Sequence, residues 1–223
     1  MNLRRKLSLN ITRDVSEKIF LNPQLMLLCK VEKKTEKLEN FKTAIGSTVK
    51  SLSNSENVEV SFGNQVTKTK KSTIKLPEVE LINDKFNYSQ IRALADSEAL
   101  KLRYSNYKTF KSFEPKGSIS KKLYQIAEKI RYEKIGSDKF KGIKNNIQKY
   151  YLDRINSLDL KSHEDKIVES FENYLRNKIF HAKNTNELDK KLKNYKKTLD
   201  EKFKYKISEL NKSYFNQANF NSI

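Results

Sequence analysis

From Asn186 to Tyr214 an apolar residue recurs at almost every third or fourth position: Leu188, Leu192, Tyr195, Leu199, Phe203, Ile207, Leu210 and Tyr214. That step keeps side chains on one stripe of an α-helix and would scatter them over both faces of a strand. The stretch can therefore bury its apolar groups only as a long helix laid against a partner. Sustained over about four heptads, the pattern predicts one arm of an antiparallel helical pair or a coiled coil.

Shorter stretches repeat the logic. Leu38, Phe41, Ala44, Ile45, Thr48, Val49 and Leu52 mark a helix from Thr35 to about Leu52, stopped by Ser53-Asn54-Ser55. A helix capped by Asn87 or Ser89 carries Ile91, Leu94, Ala95, Glu98, Ala99 and Leu102. Beyond a loop from Tyr104 to Ser118, a third helix has the seam Leu123, Ile126, Ala127 and Ile130, with Ser118 or Ser120 as cap and Gly136 as terminator. Ile143, Ile147, Tyr150, Tyr151 and Ile155 define a fourth. Ser162 opens a fifth, with Ile167, Val168, Phe171, Tyr174, Leu175 and Ile179 as its buried stripe. Only Val58, Val60 and Phe62 alternate as a half-buried strand does, ending at Gly63-Asn64. After a hairpin-like loop from Asn64 to Ser72 comes an extended piece, Thr73 to Pro77, whose proline restricts it to a sheet edge. Five glycines and three prolines supply too few turns for a β-sandwich. The expected class is mainly α (α+β): amphipathic helices, a small two-stranded element and a long C-terminal helix. Residues 1–32 read as a poorly ordered extension, 33–155 as one domain, and 156–223 as a long helical hairpin.

Charge is the second constraint. The chain carries a formal +19, which invites a nucleic-acid reading because lysine and arginine release counterions from phosphates. Yet only eight of its 46 basic residues are arginine, the side chain that makes bidentate phosphate and guanine contacts. A surplus of Lys, Asn, Ile and Tyr also fits coding from an AT-rich genome. Tyr104, Tyr107, Phe110 and Phe113, interleaved with basic residues, have the composition of a single-strand stacking platform. The same spacing equally serves core or loop anchors.

Other chemistry is scarce. No G-x-x-x-x-G-K-[ST] loop occurs, so the chain is not expected to hydrolyse ATP. His163 and His181 stand eighteen positions apart outside any His-Glu-x-x-His frame, and both read as structural or exposed. The single cysteine, Cys29, excludes an internal disulfide and suits a reducing cytoplasm. Arg4-Arg5-Lys6 precedes apolar residues, but Asn22-Pro23-Gln24 breaks the run and no small-residue cleavage site follows, which argues against a secretory signal. No apolar run approaches the ~20 residues that span a bilayer.

Charged residues within the helices are the remaining candidates. Arg92 and Asp96 are four apart and pair across one turn, with Ser97, Glu98, Lys101 and Arg103 nearby. Arg131 and Glu133 end the third helix beside Tyr132 and Lys134. Arg92, Asp96, Ser97, Lys101, Arg131 and Glu133 form a candidate interaction surface. On spacing alone they equally make a solvated ion-pair face worth a few tenths of a kcal/mol per pair.

Several segments, taken in order, resemble a known family: Phe41-Lys-Thr-Ala-Ile45, Val58-Glu-Val-Ser-Phe62, Leu76-Pro77, Leu94-Ala-Asp-Ser97 with Ala99-Leu100, Arg131-x-Glu133 and Ile135-Gly136. From about Phe41 to Tyr151, and more weakly after Ser162, the chain is similar to the N-terminal region of CobT, a subunit of the aerobic cobaltochelatase of cobalamin biosynthesis. The resemblance implies a non-catalytic role beside a CobS-like AAA+ ATPase in a ring-shaped complex. There ATP and magnesium belong to the ATPase, and a CobN-like large subunit inserts cobalt into hydrogenobyrinic acid a,c-diamide. It also implies coupling between subunits rather than a reaction centre in this chain. A complete CobT carries an acidic linker and a von Willebrand A-like domain with an Asp-x-Ser-x-Ser metal site; that motif does not follow Tyr214. A fragment, a split gene and a degenerate copy stay open as readings. The rivals are a basic nucleic-acid-binding module and a helical assembly scaffold outside cobalamin synthesis.

Overall fold

The computed structural model describes residues 23–64, 72–82, 85–156, 162–180 and 186–223. Eight helices and four short strands follow in order among them: α1 Pro23–Ser53, β1 Val58–Phe62, β2 Ser72–Leu76, β3 Leu81–Ile82, β4 Lys85–Phe86, α2 Tyr88–Tyr104, α3 Tyr107–Ser112, α4 Ser118–Lys139, α5 Lys141–Asn156, α6 His163–Phe180, α7 Asn186–Ser213 and α8 Gln217–Ser222. The chain divides into two compact units, Met1–Ile45 and Gly46–Ile223, and α1 runs across the division.

In the first unit α1 begins at Pro23, not near Thr35. Proline lacks the N–H that a helix start leaves unbonded anyway, and its fixed φ suits the first turn. The residue that breaks the apolar run thus opens a helix, which takes in residues 23–32. Thr35 Oγ1 donates to Val31 O at 3.0 Å along this stretch.

The second unit holds the rest. Its part of α1 buries Val49 and Leu52. Asn54, at φ 55°, closes the helix in the left-handed region, and Ser55 N–H donates to Lys50 O at 3.2 Å. β1 and β2 lie where alternation placed them, with Val58, Phe62, Ile74 and Leu76 buried. They pair in parallel, Val58 opposite Ser72 and Phe62 opposite Leu76, so they are not the two arms of a hairpin; the loop read between them lies largely outside the described residues. A second antiparallel ladder, Leu81 with Phe86 and Ile82 with Lys85, went unread because two-residue strands carry no period.

Asn87 precedes α2, but its side chain caps no helical N–H. Its Oδ1 accepts from Glu80 N–H at 3.0 Å instead, fastening the helix to the segment before it. The buried face of α2 is Ile91, Ala93, Ala95, Asp96, Ser97, Ala99 and Leu100. It is therefore rotated from the expected stripe, and Leu102 is 44% exposed. Between Tyr104 and Ser118, read as loop, Asn106 Oδ1 accepts from Thr109 N–H at 3.1 Å and starts the one-turn helix α3.

α4 packs on α2, α5 and α6, and α6 packs on α7. The main apolar cluster joins Ile130 of α4 to Phe171, Tyr174, Leu175, Ile179 and Phe180 of α6 and Ile207 of α7. The periodic stripes had indicated all of these except Phe180. Phe171 and Phe203 meet edge to face, with centroids 5.6 Å apart. The C-terminal helix α8, unforeseen, buries Phe220 and packs on α3 and α7.

Gly136 does not end α4, which continues to Lys139. It is where α2 touches α4: a Cβ there would lie 2.3 Å from Leu100 Cδ2 and 2.4 Å from Cδ1. Leu100 is fully buried, so its side chain would have to shift within a packed interior. Gly136→Ala should therefore destabilise by about 1–3 kcal/mol through overpacking, despite a gain in helix propensity of ~1 kcal/mol. Thermal denaturation of Gly136→Ala, Leu100→Ala and the double variant checks this, the double variant being more stable than the sum of the single losses predicts.

Candidate functional site

Of the residues singled out on α2 and α4, Lys101 faces solvent and Arg92 is half-exposed, while the other four are turned inward. Asp96, Ser97, Arg131 and Glu133 are all buried, joined by Glu128 on α4 and by Glu172 and Arg176 on α6. They divide into three groups.

The central group links α2, α4, α5 and α6. Arg176 Nη1 lies 2.8 Å from Glu133 Oε2, and its Nε donates to Glu172 Oε1 at 2.9 Å. Ser97 Oγ donates to Glu133 Oε1 at 2.6 Å. From α5, Arg154 Nη2 donates to Glu172 Oε2 at 2.8 Å, and Arg154 grips Glu169 through both terminal nitrogens at 2.8 and 3.0 Å. The Tyr151 ring lies against both guanidiniums, 4.6 Å from Arg176 and 5.4 Å from Arg154. Lys129, 4.0 Å from Glu133, balances the third carboxylate. Burial alone would raise the Glu172 pKa, but Arg176 and Arg154, with Lys129 beyond, hold it below the ordinary glutamate value. Burial raises the Tyr151 hydroxyl, and the Glu172 charge adds to it.

A second group sits midway along α4. Arg131 Nε and Nη2 donate to the two oxygens of Glu128, both at 2.8 Å, and its remaining donors reach the backbone carbonyls of Tyr104 and Tyr214. Ser105 Oγ and Gln217 Nε2 donate to Glu128 Oε1 at 2.6 and 3.0 Å. Gln217 Oε1 also accepts from Asn106 N–H at 2.7 Å. Arg131 thus holds Glu128 rather than Glu133, and the C-terminal ends of α2 and α7 and the start of α8 meet on the middle of α4.

The third group is the expected pair. Arg92 Nε is 3.4 Å from Asp96 Oδ1, and Asn146 of α5 donates to Asp96 Oδ2 at 2.8 Å. Burial raises the Asp96 carboxyl, while Asn146 and Arg92 oppose that shift. Lys101 is exposed and lies 3.7 Å from Glu98. Arg103 donates to Leu52 O at 3.0 Å and does not reach Asp96.

The four aromatics between Tyr104 and Phe113 do not act together. Phe110 stacks on Tyr124 with centroids 4.8 Å apart, Lys139 covers the Tyr104 ring at 4.8 Å, and Tyr107 is 71% exposed. His163 is exposed, its Nδ1 3.1 Å from Tyr195 Oη. The readings on His181 and on the side chain of Cys29 lie outside the described residues. Among the described residues no cluster of three or more His, Cys, Asp or Glu side chains could hold a metal ion, and no helix is long and apolar enough to cross a membrane.

Glu128, Arg154, Glu169, Glu172 and Arg176 were not anticipated from the sequence. Part of the signal was there: Glu172 and Arg176 are four apart and flank the apolar Tyr174-Leu175, while Glu128 and Arg131 are three apart around Ile130. A charge pair set inside an apolar stripe has to face a partner.

Removing Arg176 would leave Glu133 and Glu172 buried and uncompensated. Arg176→Met should cost about 3–5 kcal/mol, read from urea denaturation. Because Glu172 titrates below its unfolded value of 4.5, its contribution is present above that pH and lost as pH falls toward the lower folded value. The denaturation midpoint should drop through this acid window, and Glu172→Gln should flatten the drop.

No solved structure matches the chain. The family profile described as "Cobalamin biosynthesis protein CobT" matches residues 35–223, which includes the helices after Ser162 where the resemblance was weakest. That match covers most of the sequence, so the chain belongs to the CobT family and takes part in cobalamin biosynthesis.

Proposed function

We propose that this chain is the non-catalytic, N-terminal part of a cobaltochelatase subunit, working beside a CobS-like AAA+ ATPase and a CobN-like large subunit. The metal is cargo of the assembly, delivered into hydrogenobyrinic acid a,c-diamide, while ATP and magnesium belong to the partner ATPase. The observation that carries this reading is the use to which the family-like segments put their charges. Ser97, Arg131 and Glu133, which would be candidates for acid-base work on a surface, are turned inward and joined to one another's helices. Such a body moves as a unit and can pass a displacement from one face to another.

Docking is assigned to the lysine surface. Among the described residues every arginine has a partner inside the fold: Arg92 with Asp96, Arg103 with Leu52, Arg131 with Glu128, Arg154 with Glu169 and Glu172, and Arg176 with Glu133. What faces water is lysine, as at Lys197, Lys202 and Lys204 on α7. Ammonium groups suit diffuse attraction to an acidic partner segment better than bidentate reading of phosphates. This favours a protein partner over the nucleic-acid alternative.

Reconstitution tests the proposal. The chain, mixed with the ATPase, the large subunit, ATP, magnesium, cobalt and the diamide, should raise the rate of cobalt insertion and copurify with the ATPase. Its docking should weaken as ionic strength rises from about 0.05 to 0.3 M, since the Debye length shrinks below ~10 Å. Metal insertion by this chain unaided, or a rate indifferent to its presence, overturns the reading. Tight RNA or DNA binding with a steep salt dependence would move the assignment to the nucleic-acid alternative.

A further inference from the structure

Within the second unit, α8 is seated on α3 and α7 by six residues, of which Phe220 alone is buried. Its polar ties lie at its two ends. At the start, Gln217 Nε2 donates to Glu128 Oε1 at 3.0 Å, and Asn106 N–H donates to Gln217 Oε1 at 2.7 Å. After the last turn, Lys206 Nζ, on an exposed residue of α7, donates to Ile223 O at 2.7 Å.

Between these ties the seat is poor. Phe220 stands in the wall of an open apolar cavity of about 150 Å³, lined also by Leu123 and Ala127 of α4, Phe171 of α6 and Phe203 and Ile207 of α7. Atoms that face such a hollow lose the packing attraction a filled core would give them. Asn221 borders the same cavity, and both its amide atoms are closed to solvent with no hydrogen-bond partner. An amide in that condition loses its water when α8 docks and gains nothing in exchange. Docking therefore buries one phenylalanine at the expense of one carboxamide. A leucine at position 221 would fill the hollow and carry no such penalty, so the sequence holds the weaker of two available seats.

We propose that α8 is a detachable strap, which leaves its seat while the other helices of the unit stay folded. Release returns the Asn221 amide to water, draws Gln217 away from Glu128 and from the Asn106 backbone, and bares the apolar trough between α4 and α7. Elements with few buried apolar contacts are the ones that open locally, at free energies far below that of global unfolding. The strap also joins two places in the fold. The trough cannot open at one end of α8 without Glu128 losing a donor at the other. Anything that occupies the trough must first displace α8, so its apparent affinity is reduced by the fraction of molecules in which the strap is closed.

Amide hydrogen exchange, followed by NMR on the full chain, tests this. The Phe220 N–H donates to Asn216 O at 2.9 Å and the Asn106 N–H donates to Gln217, so both should exchange through one shared opening. Each should exchange at least about a hundredfold faster than the amide of Leu175, which is fully buried on α6. Their rates should change little in low urea, because a local opening bares little surface. Asn221→Leu should slow both by about tenfold or more, since it removes the unmet amide and fills the cavity. Gln217→Ala should speed Phe220 by a similar factor, which keeps the test decisive if the leucine variant packs badly. Phe220 exchange as slow as that of Leu175, a rate that rises with urea in step with global unfolding, or rates indifferent to both substitutions would overturn the strap.

Discussion

Arg176 is buried with its charge. Glu133 on α4 and Glu172 on its own helix, each within 3 Å, supply the compensating charge, and the Tyr151 ring closes one side. Ion pairs of this kind add little net stability compared with an apolar packing of the same shape, yet they are severe about geometry. A shift of α6 along α4 by one turn would leave apolar contacts available but would strand three charges. The register of the bundle is therefore set by electrostatics, while leucine, isoleucine and phenylalanine supply the driving force.

The sequence revealed the helices better than their orientation. Where an apolar stripe was long, as along α6 and α7, period alone located the element, because no other structure buries residues at that step. α3 and α8 escaped because six residues are too few to display a period. Pro23 and Gly136 look like breaks in the sequence, and the fold accommodates both: one as a helix start, the other where a Cβ would meet Leu100. The direction of β2 against β1 was likewise illegible, since alternation fixes faces and not direction.

The candidate site divided along the same line. Arg92 with Asp96 was readable from a four-residue spacing. That spacing is identical for a pair in water and a pair inside a fold, so the burial of Asp96 could not be seen. Ser97 and Glu133 are 36 positions apart, and neither announces the other. Local rules thus found the individual residues, and only tertiary packing disclosed that Arg131 and Glu133 serve different neighbours. One compositional fact does acquire a physical sense: scarce arginine is spent inside, where a rigid fork is needed, and abundant lysine stays in solvent.

Gln217 gives the fold a temporal dimension. It completes the hydrogen bonding of Glu128 and of the Asn106 backbone, partners separated from it by 89 and 111 positions. On the ribosome those helices emerge well before Gln217 does, so the Glu128 and Asn106 contacts wait, incompletely satisfied, until α8 has been made. Closing so long a loop is slow compared with forming any of its helices. Maturation of this part of the fold consequently depends on α8, and a nascent chain halted before Gln217 would leave the Glu128–Arg131 pair without its cover.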